Sequence, residues 1–343
     1  MKIRNDQAKG IFCTQIAEKY IAAETVRYAP EPRKKRLITV ILLSAVFLLA
    51  VLSAHFLIKP EKTYLNSDDK YTMFHLLGVH FLFHNTVGGF PAFHCIDIEK
   101  DSVLEISALT SYHKKYTVFI FTQGVKIYDH GKYVSGYENE NRMETISSFI
   151  ADYDGDGNED LFLLLKKKEQ IYGEKLMILN YDGKKAVKTY DASFQKVNPW
   201  KVQVCDVDGD GKMEVSLGVY TLAKYHPVYA KRPFLYEFHN HQLYPKWLGS
   251  RLSRPFDDYL FCDVDGDKKD ELISVETTRD GKKELNAYKW TGFGFESIGV
   301  SRNYDIIRSI SADGKTVTAI CGSQAAAESK TFIFRNAELE TGG

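Results

Sequence analysis

The chain has 343 residues, of which 44% are hydrophobic and 26% charged, with 24 Gly and 9 Pro. That composition excludes a wholly disordered chain, a collagen-like repeat and a polytopic membrane protein. Lys plus Arg and Asp plus Glu balance at 45 each, so no global charge points to nucleic acid, yet the balance hides segregation along the chain.

Residues 1–36 carry nine Lys/Arg against four Asp/Glu. Phe12, Ile16, Tyr20, Ala23 and Val26 recur there at helical spacing, which predicts one amphipathic helix over 11–28 in a piece too short to build a core. Residues 37–58 read LITVILLSAVFLLAVLSAHFLI, 22 residues without a charge. At ~1.5 Å per residue this run is long enough to cross a hydrocarbon core of about 30 Å. Arg33-Lys34-Lys35-Arg36 abuts its start, so the positive-inside bias places the N-terminus in the cytoplasm and 59–343 outside. A cleaved signal peptide fits less well, because its apolar core runs to about 7–15 residues. The expected organisation is therefore a basic cytoplasmic segment 1–36, a transmembrane signal anchor 37–58, a linker 59–78, a repeat region 79–336 and a tail 337–343.

Three segments of the exterior part nearly repeat one another. They are DYDGDGNED from Asp152, DVDGDGKME from Asp206 and DVDGDKKDE from Asp263, starting 54 and 57 residues apart. Each precedes an apolar strand-like run such as LFLLL or VSLGV. A step back to Asp97 finds IDIEKDSVLEIS, and a step forward finds SADGKTVTAI at 311–320, both read as degenerate copies. Within a period, runs such as LMILNYDGKKAVKTY and LNAYKWTGFGFESI are hairpins with Asp-Gly or Thr-Gly turns. Four short strands per period predict an all-β propeller of about five four-stranded blades. The last copy stops about one strand short, and the hairpin at 79–90 is expected to supply that strand and close the ring.

Carboxylates occupy positions 1, 3, 5 and 9 of each loop, and position 7 can add its backbone carbonyl. Such a hard oxygen shell suits Ca²⁺, and Gly at position 4, with Gly at 6 in two loops, lets the chain coil around it. Position 12 is Leu163, Leu217 and Ser274, which excludes an EF-hand or dockerin loop. The pattern at blade-length spacing resembles the FG-GAP or VCBS repeats of integrin-α-like propellers. That resemblance implies up to three calcium sites. The first would use Asp152, Asp154, Asp156, the Asn158 carbonyl and Asp160; the second Asp206, Asp208, Asp210, the Lys212 carbonyl and Glu214. The third would use Asp263, Asp265, Asp267, the Lys269 carbonyl and Glu271, with Lys268 where the other loops have Gly. It also implies that these loops join the first and second strands of a blade, on the face opposite to that which meets ligands.

The three loops together carry −11, so the rest of the exterior part is net basic. Arg142, Lys196, Arg254 and Arg302 fall in the expected blade-to-blade linkers. The stretch 225–256 combines aromatics with Lys231, Arg232, Arg251 and Arg254, and Trp247 joins them as a candidate ligand contact. An extracellular protein, glycan or anionic polymer would suit such a face. Cys205 and Cys262 directly precede acidic loops and read as small buried hydrophobes; the spacing of Cys95, Cys205, Cys262 and Cys321 leaves disulfides open. No nucleophile elbow, phosphate loop, zinc-protease or dinucleotide motif is present. The expected function is thus a membrane-anchored, calcium-stabilised binding, adhesion or complex-scaffolding module at the cell surface. The alternative is a surface enzyme acting on polysaccharide or phospholipid from the propeller face.

Overall fold

The computed structural model describes the backbone of residues 59–65, 69–76, 79–86, 92–96 and 103, and whole residues 104–342 apart from 130, 131, 141, 240 and 241. The chain divides into Met1–Lys59 and Pro60–Gly343. The cytoplasmic helix and the membrane span expected over 1–58 lie outside the described residues, and among the described residues no helix is long and apolar enough to cross a membrane.

The second unit is all-β. Its strands fall into six sets of four, each a meander with its strands in chain order, and the fifth and sixth sets join into one eight-stranded sheet through a parallel pair of their fourth strands, Val300 with Glu338. The first set is β1 (Lys59–Leu65), β2 (Asp69–Leu76), β3 (Val79–Thr86) and β4 (Ala92–Ile96). The second is β5 (Val103–Ser111), β6 (Lys114–Phe121), β7 (Gly124–Asp129) and β8 (Lys132–Glu138). The third is β9 (Met143–Ala151), β10 (Asp160–Lys167), β11 (Lys175–Tyr181) and β12 (Ala186–Ser193). The fourth is β13 (Pro199–Cys205), β14 (Glu214–Ala223), β15 (His226–His239) and β16 (Gln242–Leu248). The fifth is β17 (Phe256–Cys262), β18 (Glu271–Thr277), β19 (Lys283–Trp290) and β20 (Phe295–Val300). The sixth is β21 (Ile306–Asp313), β22 (Thr316–Gly322), β23 (Ala327–Arg335) and β24 (Glu338–Thr341). The first strands of successive sets, from β5 through β9, β13 and β17 to β21, pack side by side. That arrangement is propeller-like.

Three expectations need correction. There are six four-stranded sets rather than about five, because 59–78, read as linker, holds β1 and β2. The closing strand does not come from 79–90: β3 pairs with β2 and β4, and the sixth set completes itself with β24. The copy at Asp97 is misplaced, since it lies between β4 and β5, whereas the acidic loops join the first and second strands of a set. In the second set that position is the tight Tyr112-His113 turn, both residues at positive φ (49° and 59°). The copy at 311–320 does fall at the equivalent turn, between β21 and β22.

The apolar runs make sense once the sheets are stacked. In β10, Leu161, Leu163 and Leu165 join the core shared with the second set, while Phe162 and Leu164 face the core shared with the fourth. A strand buried on both faces needs no polar alternation, which is why LFLLL is continuous. At ~25 cal/mol per Å² of apolar surface, these cores between sets are the main favourable term holding the unit together. Close packing also fixes Gly218 in β14, where a Cβ would meet the Trp200 and Tyr259 rings at 2.9 Å. Cys205, Cys262 and Cys321 are buried free thiols within these cores, as expected of the first two.

Candidate functional site

The three acidic loops adopt one backbone conformation, dictated by their own side chains. The position 1 carboxylate accepts from the N–H groups of positions 4 and 6: Asp152 from Gly155 (2.9 Å) and Gly157 (3.0 Å), and Asp206 from Gly209 (2.7 Å) and Gly211 (2.9 Å). Asp263 does the same with Gly266 (2.5 Å) and Lys268 (3.1 Å). Position 3 then accepts from the N–H of position 5, and position 5 from that of position 7, in all three loops. The coil requires positive φ at positions 4 and 6. Gly157 and Gly211 meet this at 84° and 79°, whereas Lys268 is held at 69° with a side chain attached.

The coil gathers carboxylates. One oxygen each from Asp152, Asp154 and Asp156 lie within 4.8 Å of one another, as do those of Asp206, Asp208 and Asp210, and of Asp263, Asp265 and Glu271. Position 9 therefore joins its cluster only in the third loop. Asn158, Lys212 and Lys269 give their N–H groups inward to position 5. The donor set, all hard oxygen, fits a divalent cation such as Ca²⁺ in the first loop.

The surroundings of position 9 differ. Asp160 is 2% exposed, and its Oδ1 accepts from Asn180 Nδ2 at 3.1 Å. Burial, with the loop carboxylates adding to it, pushes Asp160 up to about 7. Glu214 receives the Val207 N–H on one oxygen (3.1 Å) and Lys246 on the other (2.5 Å). Burial raises its pKa while Lys246 pulls it back, and a donor on each oxygen suits an ionised pair. Lys246 also reaches Asp208 at 2.5 Å. Burial disfavours its ammonium, but the hydrogen bonds to Asp208 and Glu214 carry its pKa above the ordinary lysine value. In the third loop Lys289 contacts Asp265 (2.5 Å) and Asp267 (2.7 Å), and buried Glu271 is pushed up to about 7 chiefly by burial. Here the donor set does not fit a free cation, because an ammonium already lies among the oxygens.

Neither Lys246 nor Lys289 is legible from the motif. They lie 32 and 18 residues beyond position 9 and meet it only through strand pairing. Loop-to-loop contacts are equally hidden. Asp270 exchanges two hydrogen bonds with the Asp206 backbone, N–H to carbonyl and N–H to carboxylate (both 2.8 Å). Glu159 makes the same exchange with Thr110.

By the antiparallel meander, the other end of the sheets holds the second-to-third-strand connectors and the links between sets. Arg142, Lys196, Arg251, Arg254 and Arg302 all lie in those links and are exposed. Their charges are not uniformly free. Arg254 pairs with buried Glu284, and Arg302 donates to Tyr304 Oη at 2.9 Å. Lys231 lies 4.3 Å over the Trp200 ring and donates to the Asp257 carbonyl, with its pKa lowered by burial.

Two candidates do not stand free at the surface as expected: one is buried and the other half-buried. Arg232 is fully buried, because its guanidinium ties down the β14–β15 turn. Nε donates to Thr221 O (3.0 Å), and Nη2 to His226 O (3.0 Å), His226 Nδ1 (3.1 Å) and Val228 O (2.8 Å). Trp247 sits on the outer strand β16, packed on Trp290 and Phe295. The connector end also exposes aromatics: Tyr225 is 83% and Tyr229 54% exposed. Tyr229 stacks on Tyr220 (5.6 Å), which stacks on Tyr172 (5.4 Å).

Residues 152–216 match the FG-GAP-like repeat family, spanning the first two acidic loops and strands β10 to β13 between them. No curated protein matches the chain. Among solved structures, a candidate 6-phosphogluconolactonase from Bacteroides uniformis is similar at 9% identity and TM-score 0.48, over 80% of each chain. BBS1N in complex with ARL6DN is similar at 11% identity and TM-score 0.43, over 83% of this chain and 94% of that one.

Proposed function

We propose that residues 59–343 are the extracytoplasmic part of a single-pass membrane protein, a cation-stabilised FG-GAP propeller that works as a binding or complex-scaffolding module. The charge-free run 37–58 behind Arg33-Lys34-Lys35-Arg36 supports the anchor and its orientation. The family match and the carboxylate cluster of the first loop support the cation. Calcium bound there would order the turn between β9 and β10 and stabilise the folded state by RT ln(1 + [L]/Kd), about 2.7 kcal/mol at a hundredfold excess.

The observation that carries the binding reading is the exposed tyrosine cluster at the connector end, where Tyr225 and Tyr229 are exposed and Tyr229 continues a stack through Tyr220 to Tyr172. Exposed aromatic faces of this kind suit a glycan or a protein partner at the cell surface. The test is an array of glycans, envelope polymers and surface proteins probed with the full chain in detergent. A ligand should be lost with Tyr225→Ser plus Tyr229→Ala and kept with Asp152→Ala, which should instead abolish calcium-dependent melting. Loss with the acidic-loop variant alone would place the docking surface at the wrong end. Orientation is checked in intact cells, where an impermeant thiol reagent should label Glu340→Cys and spare native Cys13.

A further inference from the structure

We infer that Lys246 and Lys289 stand where a divalent cation would stand in the second and third acidic loops, so that of the three loops only the first is open to one. The inference rests on the cation reading proposed above. Backbone geometry cannot distinguish the loops, since each makes the same four hydrogen bonds from positions 1, 3 and 5. The difference lies in what the carboxylates face.

In the second loop the Lys246 ammonium is 2.5 Å from Asp208 Oδ2, 2.5 Å from Glu214 Oε1 and 3.4 Å from Glu237 Oε1. In the third, that of Lys289 is 2.5 Å from Asp265 Oδ2, 2.7 Å from Asp267 Oδ2 and 3.6 Å from Glu271 Oε1. These are positions 3 and 9 in one loop, and 3, 5 and 9 in the other. An ammonium has three N–H donors and can satisfy such a set. Calcium would need six to eight oxygens at about 2.3–2.6 Å, drawn from the same carboxylates, with a like charge beside it. A tethered lysine also competes at an effective concentration on the order of millimolar or more, and is never diluted away. The Lys246 side chain is only 12% exposed, so giving up its place would leave its charge half-buried.

The first loop, among the described residues, faces no such group. Among the described residues Asp152, Asp154, Asp156 and Asp160 form no ion pair, and the side chain that meets Asp160 is the neutral Asn180. The loop itself is also the most acidic, at −5 against −3 for each of the others. Position 9 follows the same division. Glu214 and Glu271 have the extra methylene with which to reach an ammonium, and the first loop has the shorter Asp160. The third closure is the looser one, because Glu271 Oε1 is buried without a hydrogen bond.

The experiment counts bound calcium by equilibrium dialysis on the full chain in detergent, after removal of metal with chelator. Wild type should bind one ion, Lys289→Gln two, and Lys246→Gln plus Lys289→Gln three. Lys289→Arg keeps the charge and should stay at one, which guards against a gain caused by loosened folding. Asp152→Asn should take wild type from one ion to none. Three ions in wild type, or no gain on removing the lysines, would overturn the inference and leave the cation reading standing. No binding by any variant would overturn both.

Discussion

At the acidic end of the sheets one nine-residue pattern recurs three times with the same hydrogen bonds, whereas at the connector end no two connectors are alike. Position 1 of every loop holds the N–H groups of positions 4 and 6. At that end Arg254, in a link, finds a buried Glu284, while Lys231 and Arg232, within β15, find a carbonyl and an indole, and three carbonyls and an imidazole nitrogen. The difference lies in what fixes each end. A turn needed between the first and second strands of a set can be solved once and copied, because its solution is local. The connectors have no shared local pattern, so each charge is answered by whichever residue the fold brings near it.

If the acidic end governs stability, its pH response should show it first. Asp160 is pushed up to about 7 by burial, above its ordinary value of 3.8, so the cation-free folded state keeps a proton that the unfolded state has lost. Stability then falls as pH rises from about 4 to about 7, by on the order of 4 kcal/mol at about 1.4 kcal/mol per pH unit. In chelator, the melting temperature of Asp160→Asn should gain on wild type between pH 5 and pH 8, and added calcium should shrink the gap. A gap independent of pH would remove the buried-carboxylate account.

The connector end can break the comparison through Arg232. Replacement by Met strips the donor from the carbonyls of Thr221, His226 and Val228, and should cost about 3 kcal/mol. Calcium-dependent melting should be unchanged, since β14–β15 turns at the far end from the loops. A loss of calcium response with Arg232→Met would show that the two ends are coupled.

Smaller effects sharpen the same contrast. Lys268 sits at φ 69° where Gly157 and Gly211 sit in the other loops, so Lys268→Gly should stabilise by about 0.5–1 kcal/mol. Gly157→Ala should lose a similar amount from backbone strain alone, because its Cβ would meet nothing within 4 Å. Paired melting curves of the two variants decide this. Tyr229→Ala should change stability by less than about 0.5 kcal/mol, as expected for a side chain that is 54% exposed, while removing the ligand. A core-sized fall in melting temperature would make the tyrosine stack a structural element instead.

The sequence by itself determined the repeat, the strand-rich period, the three acidic loops and their positive-φ positions. All of these are set by residues within about ten positions of one another. The hairpin at Asp182-Gly183 was equally legible, since Asp182 Oδ1 accepts from the N–H groups of Lys184 (2.9 Å) and Lys185 (2.8 Å) and Gly183 takes φ 81°. The tertiary structure alone decided the sixth set, the place of Asp97 between sets, the burial of Arg232 and the packing of Trp247 on Trp290 and Phe295. It also decided which loops are answered by a lysine. Position 9 is followed by strands of different length and register, so Asn180, Lys246 and Lys289 arrive at equivalent acidic loops from unequal distances along the chain. A nine-residue coil writes its geometry into its own sequence; the charge it faces comes from a neighbouring strand, and only pairing in three dimensions brings that strand to it.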